Sequence, residues 1–78
     1  MAEVIIKLPD TDSIKAFNRL ACQLSCDLDV EQGRFCVDAK SILGLYSMDL
    51  TKQVKLVIHD EGEELEKAID MLKEFICE

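Results

Sequence analysis

The residues with chemistry to offer are few, and the first of them is Ser41. It stands beside Lys40 and opens a dense apolar stretch of Ile42, Leu43, Leu45, Tyr46 and Met48. A serine there is a helix N-cap, its hydroxyl accepting a bond from a free N–H of the first turn. A helix this short is stable only when packed. Either every apolar group on it faces inward, or some of them form a surface that another molecule reads. The second candidate is His59, the only histidine in the chain. Between Ile58 and the acids Asp60 and Glu61, with no basic neighbour close in sequence, it reads as a structural or solvent-facing imidazole. The third group is Cys22, Cys26, Cys36 and Cys77. A C-x3-C pair followed by single cysteines matches no zinc pattern, and the histidine is distant, so no metal or cofactor is expected. The thiols read as reduced and either buried or idle.

Composition sets the bounds. Seventy-eight residues make one domain, and a chain of this size buries only about 60–65% of the surface its unfolded form exposes. An apolar fraction of 49% is enough for a core, which argues against disorder. The net charge of −7 argues against nucleic acid, because phosphate backbones are held by clustered Lys and Arg. An acidic balance mostly means a soluble protein, one whose charge would suit a basic partner. The apolar runs fall far short of the roughly 20 residues that span a bilayer. The start, MAEVIIKL, has no cationic segment ahead of a long apolar one, so it is no signal peptide. No membrane association and a cytoplasmic location are expected.

The elements that must position these groups are legible from periodicity. Val4, Ile6 and Leu8 alternate as a strand over residues 3–8, which Pro9 ends. DTDS, residues 10–13, supplies N-cap oxygens and acids suited to the positive end of a helix. Ile14, Phe17, Leu20, Ala21 and Leu24 are the apolar stripe that follows. Cys26, Leu28 and Val30 then alternate with Asp27, Asp29 and Glu31; Gln32-Gly33 reads as a tight turn, and Phe35, Val37 and Ala39 alternate beyond it. After the Ser41 helix, Val54, Leu56 and Ile58 make a fourth strand. Asp60 with Glu63 reads as a capping box for a last helix whose stripe is Leu65, Ala68, Ile69, Leu72 and Ile76. The order is β-α-β-β-α-β-α. An α+β open-faced sandwich buries all the apolar faces together: a four-stranded antiparallel sheet with three helices on one face. The other face, carrying Asp27, Asp29, Glu31 and Asp38, is left to solvent.

That order, with Lys40-Ser41-Ile42-Leu43-Gly44-Leu45 matching K-S-[IL]-[ML]-G-[VL], resembles HPr, the small phosphocarrier of the bacterial sugar phosphotransferase system. The likeness is strongest from Asp27 to about Leu72 and weak in motif over the first 26 residues. HPr proteins carry a phosphoryl group on a histidine at the mouth of the first helix, within G-[IL]-H-x-R-P-A. Here the corresponding stretch, L-P-D-T-D-S-I at residues 8–14, has neither histidine nor arginine and is about three residues shorter. Asp10 and Asp12 would repel phosphate.

The resemblance therefore implies a non-catalytic, non-phosphocarrier protein, as in the catabolite-repression HPr group, which lacks the histidine but keeps the serine. It implies Ser41 as a regulatory phosphorylation site, with a protein partner such as an HPr kinase or a transcriptional regulator. It also implies Ile42, Leu43 and Tyr46 as a partner-binding surface, with Leu45 and Met48 turned inward. Two other readings stand beside this one. The chain is a phosphocarrier with an unrecognised acceptor, His59, or an α+β domain that binds a small molecule, as amino-acid-sensing domains of similar order do.

Overall fold

The computed structural model describes residues 1–49 and 52–77. In chain order it contains β1 (Ala2–Ile6), α1 (Thr11–Cys22), β2 (Leu28–Gln32), β3 (Phe35–Asp38), α2 (Ile42–Tyr46), β4 (Val54–Ile58) and α3 (Gly62–Leu72). A single 3-10 turn, Lys73–Phe75, extends the last helix. The four strands form one antiparallel sheet in the order β1-β4-β2-β3. α1 packs against both α2 and α3 on one side of that sheet.

The period of two explains which residues go inside. Ile6, Leu28, Val30, Leu56 and Ile58 project towards the helices and are essentially inaccessible. Ile14, Phe17 and Ala21 of α1, Leu45 of α2, and Ala68 and Leu72 of α3 close over them. On the open face β4 lies between β1 and β2, so the long side chains of those strands flank its outward residues. Lys55 reaches Glu3 at 3.6 Å and Glu31 at 3.9 Å. These pairs are exposed and contribute little to stability. Val57, paired in register with Glu3 and Asp29, points the same way yet is only 2% exposed.

Several expectations change in the details. β1 ends at Ile6, although Leu8 is still buried. Gln32 belongs to β2, and the hairpin turns through Gly33 and Arg34. Phe35 faces the helical side, as its pairing with Gln32 requires, but lies at the strand end beyond the helices and is 66% exposed. The Asp60–Glu63 capping box does not form: Glu61 is the N-cap of α3, without a side-chain cap bond, and Asp60 accepts from the Glu61 N–H instead. The chain enters α3 through Gly62 at φ +65°, a conformation that costs glycine little. This displaces the helix start from the register a capping box needs.

The last helix also stops earlier than its stripe predicts. After Leu72 the winding tightens, which carries Phe75 into the core against Phe17, with ring centroids 5.6 Å apart at 87°. Ile76 leaves the helix and bridges Ile6 of β1. The Lys7 N–H donates to the Phe75 carbonyl and the Cys77 N–H to that of Ile5, both at 2.9 Å. Residues 75–77 therefore pair with the C-terminal end of β1's outer edge.

Candidate functional site

Two helix mouths on the same side of the sheet define the site. At α1, Asp10 is the N-cap: extended at φ −147°, ψ 174°, it accepts from the Ser13 N–H at 2.8 Å. That bond lowers the carboxyl pKa below its ordinary 3.8, because the anion is the better acceptor. Ionised Asp10 therefore stabilises the fold, by an amount fully present above pH 3.8 and lost as pH falls below it. Asp10→Asn keeps a competent neutral cap. Thermal melts at pH 5, 4 and 3 should show the parent losing stability faster than this variant over the acid step. Parallel curves would mean that the capping bond adds nothing.

At α2, Ser41 is the N-cap expected from the sequence. Its Oγ accepts from the Gly44 N–H at 3.1 Å, and the residue is exposed. Gly44 is set by close approach: a Cβ there would lie 3.1 Å from Cβ of Val37 and 3.3 Å from Oγ of Ser41. Glycine lets α2 sit down on β3, and that seating sorts the apolar residues. Leu45 is fully buried and Met48 nearly so, whereas Leu43 is 79% and Tyr46 45% exposed. Ile42 is only half exposed and packs against the core, so Leu43 and Tyr46 supply most of the apolar surface.

Three long-range hydrogen bonds that the sequence pattern did not reveal fasten the loop before Ser41 to α1 and to the residues just beyond its C-terminus. The Asn18 amide donates to the Ala39 carbonyl at 3.2 Å, and the Cys22 thiol to that of Lys40 at 3.6 Å. The Lys40 ammonium donates to the Leu24 carbonyl at 2.8 Å, where a cation suits the end of a helix. Lys40 is thus engaged away from Ser41. Partners 16 to 21 residues apart leave no periodic signal in the chain.

Between the two helices lies a crevice of about 270 Å³, walled by Leu8, Ile14, Tyr46 and Met48, with Asp10 and Asp49 at its rim. A second depression, about 420 Å³, is lined among the described residues by Met1, His59, Asp60 and Glu61. His59 has its ring Nε2 2.7 Å from the Asp29 carboxylate, and its backbone N–H donates to the Asp27 carbonyl at 2.9 Å. All four cysteines are free thiols. Cys26 is buried, which pushes its pKa up. Cys36 is also raised, by local desolvation and then by the Asp29 and Glu31 carboxylates. Among the described residues no cluster of His, Cys, Asp or Glu is placed to hold a metal, and no helix is long and apolar enough to cross a membrane.

Strand order, helices on one face only, and a serine-capped short helix beside the α1 mouth define an open-faced sandwich of the HPr type. The family model described as "PTS HPr component phosphorylation site" matches residues 11–78. Among solved structures, HPr-C-His from Thermoanaerobacter tengcongensis is 31% identical with a TM-score of 0.78, over 95% of this chain and 89% of that one. The phosphocarrier protein HPr from Bacillus anthracis str. Ames superposes with a TM-score of 0.75 at 22% identity, over 97% and 94% of the two chains. No curated protein matches significantly. The chain belongs to the HPr family of the phosphotransferase system.

Proposed function

We propose that this chain is a cytoplasmic HPr-like regulatory module that does not carry a phosphoryl group on histidine. It binds a protein partner through the 41–48 segment that contains α2 and is switched by phosphorylation of Ser41. The observation that carries this reading is the contrast between the two helix mouths. At α1 the N–H of Ser13, which would face a phosphoryl group, is taken by the Asp10 carboxylate, and residues 8–14 include no histidine. At α2 the hydroxyl of Ser41 is exposed next to the exposed Leu43.

A phosphate on Ser41 would add about two negative charges within one turn of Leu43 and about a turn and a half from Tyr46, changing what that surface accepts. The helix terminus favours the anion by about 0.3–1 kcal/mol when exposed. The test is intact mass after ATP and an HPr kinase, with a parallel incubation in phosphoenolpyruvate and the first enzyme of the system. One phosphate from ATP and none from phosphoenolpyruvate is expected. Acid-labile phosphate in the second incubation would restore the carrier reading, with His59 the residue to examine.

Two variants serve as controls. Ser41→Ala should lose both the phosphate and the cap, the latter stabilising by about 1 kcal/mol. Ser41→Asp should lose only the phosphate site, since aspartate caps as well as serine. A phosphate retained on either variant would place the modification elsewhere.

A further inference from the structure

We propose that the crevice between the α1 mouth and the end of α2 receives a basic–apolar segment of a protein partner. An arginine or lysine lays its stem along Ile14, Tyr46 and Met48 and brings its cation to Asp10. This rests on the docking reading above and adds the chemistry of what docks.

The walls favour such a side chain. Ile14 and Met48 are nearly buried and form an apolar floor, while Tyr46, 45% exposed, stands as a side wall continuous with exposed Leu43. Long cationic side chains cover apolar surface with their stems while the head stays wet, and a guanidinium stacks on a phenol ring. Among the described residues, the charged ones lining the crevice are Asp10 and Asp49, and none is basic. The opposing influence is the N-terminus of α1, which presents about +0.5 of an elementary charge. The cap anion Asp10 and first-turn Asp12 more than offset it. Asp10 already fills the position an incoming anion would take, and the capping bond holds it ionised. The chain's net charge of −7 acts in the same direction at longer range, raising the encounter rate with a basic partner.

The test is a titration of 15N-labelled protein with the capped tetrapeptide Arg-Phe-Arg-Leu, and separately with Glu-Phe-Glu-Leu. Amide shifts should concentrate at Asp10, Ile14, Tyr46 and Met48 with the basic peptide only. Asp10→Asn keeps the cap and should weaken that binding about fivefold, and raising the salt should do the same. Equal binding of both peptides, full affinity in Asp10→Asn, or shifts confined to the open sheet face would each overturn the proposal. So would saturable binding of inorganic phosphate at the crevice. An absence of shifts with either peptide would also overturn it, while the kinase experiment on Ser41 judges the underlying reading separately.

Discussion

Truncating Phe17 to alanine should remove a large share of the stability of this protein. Phe17 is fully buried and meets Phe75 edge to face at 5.6 Å, joining α1 to the turn that ends α3. Phe→Ala in a core costs about 3–5 kcal/mol, and an edge-to-face pair contributes about 0.5–1.5 kcal/mol beyond the area it buries. A domain of 78 residues, at 0.05–0.15 kcal/mol per residue, has about 4–12 kcal/mol in all. The urea midpoint should therefore fall steeply, or the variant should fail to fold. Phe17→Leu keeps most of the volume and loses the ring pair, so it should fold and recover most of the difference. A Phe17→Ala variant within about 1 kcal/mol of the parent would mean the ring is not packed as described.

The second large effect separates neighbours in one short helix. Leu45→Ala should cost about 3–5 kcal/mol, since the side chain is fully buried and a cavity remains. Leu43→Ala, two residues earlier and 79% exposed, should stay within about 0.5 kcal/mol of the parent. Paired urea titrations measure both. Comparable losses at the two positions would contradict the seating of α2 on β3. For partner binding the expected burden is reversed, with Leu43 mattering while the fold is untouched. The crowding of this helix has its explanation there: Leu45 and Met48 serve the core, Leu43 and Tyr46 the surface.

The sequence carried the elements well because two periods do not resemble each other. Alternation at Val54, Leu56 and Ile58, and the stripe at Ile14, Phe17 and Ala21, fix which face is buried without further help. Ser41 was legible as a cap because local geometry decides it, whereas Leu45 and Met48 were read as inward through the family resemblance. What escaped is decided by other parts of the chain. Phe75 is buried because the helix tightens after Leu72, and Ile76 is drawn to β1 by its hydrogen bonds. Phe35 obeys the alternation yet has no helix over it. Val57 breaks the rule that the open face is wet, since its position on an inner strand shields it. The crevice joins residues 8–14 to residues 46–49, and no spacing within either stretch announces the other.

The tail that bridges Ile6 through Ile76 has a consequence for self-association. A sheet polymerises edge to edge only if each copy offers two unpaired strands. Here the Ile5–Ile6 end of β1 is already paired, and at the other edge the Asp38 carbonyl of β3 is spent on the Ser41 N–H. That shortens the edge β1 can offer a second copy and works against continued strand-to-strand joining. Residues 75–77 thus guard one edge of a small sheet whose other edge carries an exposed Phe35.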